Sequence, residues 1–150
     1  MQIVEGSVEH LDELTILFND YRIFYRKQTD LEGARIFLNE RLNNRDSTIF
    51  TAIDEGDHAV GFTQLYPLFS STRMRRMWLL NDLFVTPNYR GKGVSKLLIE
   101  RCKALAMETN ASGLRLETEV RNNIGNQLYP SVGFTLNTEL NFYFWENPVS

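Results

Sequence analysis

The chain is short of cysteine, histidine and proline: one, two and four respectively in 150 residues. The single cysteine, Cys102, excludes an internal disulfide framework and fits a reducing compartment. One cysteine and two histidines fall short of the ligand set of a structural zinc site, so no metal is expected. No apolar run is long enough to span a bilayer, and no membrane partner is expected. The opening Met1-Gln2-Ile3-Val4-Glu5 has neither the basic region nor the apolar stretch of a signal peptide, so a cytoplasmic location is expected. Positive charge is not in excess either. A formal net charge of −3 argues against a general nucleic-acid binder and is compatible with a cationic substrate. There is no internal repeat, low-complexity tract or linker. What is present is an ordinary apolar share, 43%, in a length suited to one domain over residues 1–150 with a real core.

The most informative stretch runs from Leu80 to Leu98. Leu80-Asn81-Asp82-Leu83-Phe84-Val85 reads as the end of a strand, apolar apart from Asn81 and Asp82. Pro87 and Asn88 break it. Arg90-Gly91-Lys92-Gly93-Val94-Ser95 then turns into a helix whose apolar face is Val94, Leu97, Leu98, Cys102 and Leu105. A glycine-rich turn entering a helix exposes backbone N–H groups that have no partner inside the helix, and the helix dipole adds positive potential there. Such a turn suits an anion, usually phosphate, and Arg90, Lys92 and Lys96 add full charges. It can equally be only a tight connection. A P-loop would need Ser or Thr after Lys92, where Gly93 stands; a dinucleotide fingerprint would need glycine at position 96, where Lys96 stands.

The remaining chain reads in order as a short edge strand at 2–5 and a helix from Ser7 carrying Leu11, Leu14, Leu17, Phe18, Tyr21 and Tyr25 on one face. His10 holds the place of a capping-box acid there, which leaves the box incomplete. A second helix opens at Asp30. Strands follow at 48–53 and 59–66, joined by the hairpin signal Glu55-Gly56-Asp57. A polar loop over 69–75 leads to a long central strand, 77–85. After the motif helix, 92–108, come a strand at 114–120, a short helix at 123–132 containing Pro130, a strand starting at 133–135, and an aromatic last strand at 140–145. This order, β-α-α-β-β-β-α-β-α-β-β, predicts an α/β (α+β) domain: a mixed, mostly antiparallel sheet with helices packed on it. Cys102 reads as core, and His10 and His58 as surface residues.

The turn Arg90-Gly91-Lys92-Gly93-Val94-Ser95 resembles the acetyl-CoA-binding motif of the GNAT N-acetyltransferases, Arg/Gln-x-x-Gly-x-Gly/Ala, with Ser95 at the last position. The stretch from Asn122 through Tyr129 to Gly133-Phe134 is similar to that family's late motif, Asn-x-x-Ala-x-x-Leu-Tyr-x-x-x-Gly-Phe, with Gly125 for the usual Ala. The element order matches a GNAT domain over the full length. Gly61-Phe62-Thr63-Gln64-Leu65-Tyr66-Pro67 and Leu80 to Val85 are similar to the histone and polyamine acetyltransferase branch.

The resemblance implies acetyl transfer from acetyl-CoA to a primary amine. The backbone of Leu83, Phe84 and Val85 would pair with the pantetheine arm. The N–H groups of Arg90, Gly91, Lys92, Gly93, Val94 and Ser95 would bind pyrophosphate, and Asn122 the arm. Tyr129 would bond the thioester sulfur and protonate the leaving thiolate as general acid. A base is harder to name. Related polyamine acetyltransferases carry Glu-Asp where this chain has Asn81-Asp82, so Asp82 is the candidate, with Glu117 and Glu119 behind it and water as an alternative. Strict alternation puts the Asp82 side chain on the face opposite Asn81 and Leu83. Tyr21, Tyr25, Asp30 and Asn81 are candidate acceptor-binding residues; Tyr21 and Tyr25 share a helix face and read equally as packing. The acceptor stays open among polyamines, amino acids and protein lysines. The aromatic last strand makes a homodimer an expectation, and a non-catalytic acyl-CoA-binding module is the alternative function.

Overall fold

The computed structural model describes residues 1–149 and falls into two compact units, Met1–Glu117 and a second beginning at Thr118. The first unit is built on five strands: β1 (Gln2–Glu5), β2 (Thr48–Ile53), β3 (Ala59–Ser70), β4 (Arg75–Val85) and β5 (Leu114–Arg115). They lie in chain order; the first four are antiparallel neighbours and β5 joins β4 in parallel. Three helices cover the sheet: α1 (Leu11–Phe24), α2 (Leu31–Asn44) and α3 (Val94–Glu108).

The helices divide between the two faces. Leu11, Leu14, Leu17 and Phe18 of α1 and Ala34 and Leu38 of α2 form one core with Ile49, Phe62 and Phe84 of the sheet. On the other face Cys102 of α3 lies 3.7 Å from the Thr63 hydroxyl, and Arg101 stacks on the Phe50 ring. The apolar periods of α1 and α3 therefore have a sheet face each, and burial of such side chains, at about 2 kcal/mol apiece, outweighs their modest intrinsic helix preference. His10 completes the capping interaction at the first helical turn: its Nδ1 accepts the Ser7 N–H at 3.2 Å, so an imidazole does the work of the expected acid.

Several elements differ from expectation. The loop predicted over 69–75 is a four-residue turn, because β3 and β4 continue pairing out to Ser70 and Arg75. The Arg76 guanidinium lies over both Phe69 and Trp78, a contact that favours extending the hairpin. The motif helix begins at Val94 rather than at residue 92, since Gly93 has φ +82° and serves as its N-cap. The strand predicted over 114–120 is only two residues long, ending where its pairing with β4 stops.

The second unit holds α4 (Asn123–Ser131) and, through residue 149, a tail without regular secondary structure. The strand expected to start at 133–135 is absent. Gly133 has φ +101°, and the Phe134 N–H returns to the Tyr129 carbonyl at 3.0 Å to close the helix. Residues 140–145 form no strand either; Leu140, Phe142, Tyr143, Phe144 and Trp145 are exposed. Aromatic content favours a strand only where a ladder partner exists, and none pairs with this segment among the described residues.

Candidate functional site

The site grows from an irregularity in β4. Gln64 pairs with Asp82, but the next residue of β3, Leu65, pairs with Leu80, so Asn81 is one residue too many. Directly paired residues share a face. Trp78 and Leu80 accordingly face α3, where the Trp78 indole N–H bonds the Thr109 hydroxyl at 2.9 Å. Beyond the bulge the phase is reversed: Asp82 and Phe84 face α1, alongside Gln64 and Phe62. Without the extra residue Asp82 would enter the α3 core with Trp78 and Leu80. Leu83 lies on the face opposite Asp82, as alternation predicted, but Asn81 does not: its Nδ2 donates to Asp82 Oδ1 at 2.8 Å.

Asp82 is almost fully buried, at 2% exposure. Gln64 Nε2 donates to its Oδ2 at 2.6 Å, while Gln64 Oε1 accepts from the Ser47 hydroxyl at 2.8 Å. The Tyr21 hydroxyl bonds the same carboxylate and donates to the Asn81 carbonyl at 3.3 Å. Burial pushes the Asp82 carboxyl above its ordinary range, and the bonds from Gln64, Asn81 and Tyr21 offset only part of that. The Tyr21 ring packs against Phe18, Phe62 and Phe84 and meets Tyr25 edge-on.

From Leu80 to Val85 no strand among the described residues pairs with the outer edge of β4, because β5 pairs only with Trp78 and Leu79. The ladder gives its parity. The Thr86 N–H bonds Val60 and the Asp82 carbonyl accepts the Thr63 hydroxyl, so 82, 84 and 86 turn their backbone groups toward β3. Those of Leu83 and Val85 point to the open edge. Arg90 folds back there: its Nε donates to the Val85 carbonyl at 2.8 Å and its guanidinium lies over Phe24 and Phe84. The turn that follows is anchored by the Tyr89 hydroxyl, which donates to Asp54 at 2.7 Å. Gly91 and Gly93 have φ of +75° and +82°, and a Cβ at either would meet nothing within 4 Å. The glycines are thus required by backbone conformation, and the space above them is open. No side chain caps α3, so its first N–H groups face that space. An open strand edge leading to an uncapped helix start under two glycines fits an extended amide arm ending in a pyrophosphate.

In the second unit Asn122 is the N-cap of α4. Its Oδ1 accepts the Gly125 N–H at 3.1 Å and its Nδ2 donates to Thr118 at 2.8 Å. Tyr129 lies on α4 with its ring edge-on to Phe134.

Residues 13–134 match the model of the acetyltransferase (GNAT) family. This chain belongs to the GNAT acetyltransferases. It is 42% identical over 138 residues to the uncharacterized N-acetyltransferase YhfO of Bacillus subtilis, with 92% of each chain covered. The crystal structure of a probable acetyltransferase superposes with a TM-score of 0.92 at 40% identity, covering 98% of both chains. A stretch of 79 residues, 53% of this chain and 46% of the relative, is 30% identical to thialysine N-ε-acetyltransferase of Bos taurus. The fold is accordingly a GNAT fold, the protein is a GNAT-family N-acetyltransferase, and the cosubstrate of this family is acetyl-CoA.

Within the first unit, Tyr21, Asn81 and Asp82 converge at one point, and Leu83, Phe84, Val85 and Arg90 to Ser95 follow as one continuous path. Asp30 is not part of that cluster: its Oδ1 accepts the Gly33 N–H at 2.9 Å as the N-cap of α2. Glu117 and Glu119 are engaged by the neighbouring Arg115 and Arg121. Cys102 is buried core, its thiol pushed up to about 11 by burial. Gln64 and Ser47 were missed by sequence reasoning. The available signal was a glutamine between apolar residues of a strand, where a fully buried amide needs partners. Among the described residues no cluster could hold a metal ion, and no helix is long and apolar enough to cross a membrane.

Proposed function

We propose that this protein transfers the acetyl group of acetyl-CoA to a primary amine by direct attack of the amine, with no covalent enzyme intermediate. The observation that carries the reading is the open outer edge of β4 between Leu80 and Val85, continuous with the Gly91–Gly93 turn. The cosubstrate supplies an activated acyl group on a good thiolate leaving group. The outward N–H and C=O groups of Leu83 and Val85 hold the arm as an added strand would, with Phe84 between them, and an N–H on this edge polarises the thioester carbonyl. The N–H groups from Arg90 to Ser95 take the pyrophosphate. Asn122 bonds the arm, and Tyr129 donates its phenolic proton to the departing thiolate; a phenol is close in acidity to the amine being acylated, so the transfer is matched. Asp82 is the base that removes the ammonium proton. Tyr21, Tyr25 and Asn81 border the acceptor, with Asp30 at the start of the neighbouring helix.

The acceptor class is a small primary amine, in keeping with the thialysine relative and with the aromatic residues beside a buried carboxylate. The test is CoA release from acetyl-CoA with polyamines, amino acids, aminoglycosides and a lysine-rich peptide, for wild type and Tyr129→Phe. Acceptor-dependent release that falls in the variant, at unchanged acetyl-CoA affinity, is the expected result. Tight acetyl-CoA binding with no release for any acceptor would overturn it in favour of a binding module.

A further inference from the structure

Asp82 is suited to hold a proton but badly placed to collect one. At 2% exposure its carboxylate presents almost no surface toward the open edge of β4, so a group between the two is needed to carry the proton inward. Three side chains bond its carboxylate: Gln64, Asn81 and Tyr21. The first two are amides, which orient a carboxylate without exchanging protons near neutral pH. Tyr21 alone of the three offers a hydroxyl, and it is only half-buried. Its oxygen also lies 3.3 Å from the Asn81 carbonyl, at the bulge where the open edge begins.

We propose that the Tyr21 hydroxyl relays the proton of the acceptor ammonium to the Asp82 carboxylate, making Tyr21 a proton-transfer residue as well as an aromatic wall. This rests on the acetyltransferase reading above. In the step, an ammonium N–H bond breaks as its proton bonds to Tyr21 Oη, while the Tyr21 O–H proton passes to an Asp82 oxygen. Tyr21 is neutral before and after, Asp82 becomes a carboxylic acid, and the amine is left neutral with its lone pair for attack. No electrons change hands, and the proton returns to solvent by the same route once product leaves. Burial of Asp82 favours its protonated form and so draws the proton inward.

Other ionisable groups surround the pair. Tyr66 on β3 is pushed up by burial and then by Asp82, with Arg41 opposing and Asp46 adding to the shift. Cys102 on the α3 face is held up near 11, and the Arg90 guanidinium lies over Phe84. Tyr25 meets the Tyr21 ring edge-on.

The test is the pH profile of kcat/KM for wild type, Tyr21→Phe and Asp82→Asn with an amine that the wild type acetylates. Tyr21→Phe keeps the ring packing and removes the hydroxyl. It is expected to lower kcat/KM about 100-fold at pH 7, the lower end of the usual range for a proton-transfer group. The loss should shrink as pH rises toward and past about 10, where a growing share of the amine is neutral without help. Acetyl-CoA affinity should be unchanged, and the double variant no worse than Asp82→Asn, since the two groups act in series. In the protein without acetyl-CoA, loss of the Tyr21 bond should move the Asp82 carboxyl titration, read by 13C NMR, to higher pH. A loss equal at all pH values would make Tyr21 a wall only, and an unchanged profile would remove it from proton transfer. Should Asp82→Asn fail to fold, the Tyr21→Phe profile and titration decide alone. A wild type that acetylates no amine would overturn the acetyltransferase reading itself, an outcome distinct from an active wild type matched by Tyr21→Phe.

Discussion

The two halves of β4 are one strand put to two uses. Before Asn81 the strand is held on both sides: β3 on one edge, β5 on the other, with Trp78 tied to Thr109 and the Arg76 carbonyl accepting the Ser112 N–H at 2.7 Å. After Asn81 no strand among the described residues pairs with the outer edge, the side chains have changed face, and a buried carboxylate stands where an apolar residue would pack. The first half spends its backbone groups on the sheet. The second turns those of Leu83 and Val85 outward, where the Val85 carbonyl accepts from Arg90 Nε. A single inserted residue separates the two, which accords with the tendency of bulges to re-aim side chains beside active sites.

Deleting Asn81 should collapse the difference and have the largest effect. Either Asp82 or the Trp78–Leu80 pair must then turn to the wrong face, burying a carboxylate without its Gln64 and Tyr21 partners or exposing core. A loss of about 4 kcal/mol in urea unfolding is expected, together with loss of acetyl transfer. A deletion variant as stable as wild type would show that the face change does not depend on the bulge.

The second way to sharpen the contrast is the pH dependence of stability, because only the second half carries a shifted carboxylate. Asp82 has a folded-state pKa above its unfolded value, so the folded chain binds the extra proton. Its penalty is absent below the ordinary carboxylate range. It grows as pH rises toward the folded value, by at most about tenfold in the folding constant per pH unit, and is constant above. Subtracting the urea-derived stability of Asp82→Asn from that of wild type isolates this slope from other carboxylates. The difference should fall with rising pH across that window; a flat difference would mean that Asp82 titrates alike in both states.

How much of this contrast the sequence discloses depends on what sets each feature. The turn before α3 was legible because positive φ demands glycine, and Gly91 and Gly93 stand in the chain as a pattern. The four antiparallel strands and the helix faces of α1 and α3 were legible from their periods. The bulge was not, because alternation presumes an unbroken ladder: Leu80 and Asp82 look like one face until Leu65 is seen opposite Leu80. Gln64 was missed for the same reason, being meaningful only across from Asp82. The expected strands at 133–135 and 140–145 failed on pairing, since aromatic residues state a preference and a ladder needs a partner. Asp30, a candidate acceptor-binding residue by sequence, serves in the structure as the N-cap of α2.

Beyond the strand, Gly91→Ala and Gly93→Ala test whether the open half continues into the turn. No atom lies within 4 Å of a Cβ at either position, so the stability cost should be the backbone term alone, about 1 kcal/mol each, and Gly91→Asn should cost less. Acetyl-CoA affinity should fall by more than that stability change implies, because the turn must also admit the ligand. Equal affinity in all variants, read by calorimetry, would detach the turn from the cosubstrate.

The smallest effect belongs to the first half. Trp78→Phe keeps a large ring against α3 and removes one indole N–H bond. The Thr109 hydroxyl that loses it still donates to the Leu105 carbonyl at 2.8 Å, so no buried group is stranded. The expected cost is about 1 kcal/mol in thermal or urea unfolding. The kcat and KM values for acetyl-CoA and acceptor should match wild type, since Trp78 lies three residues before the bulge and faces away from Asp82. That pairing of a measurable stability loss with unchanged kinetics is what a purely structural half predicts. If Trp78→Phe instead lowered kcat at full stability, the division of labour along β4 would fail at its simplest point, and the bulge would have to be treated as coupled to the strand that precedes it.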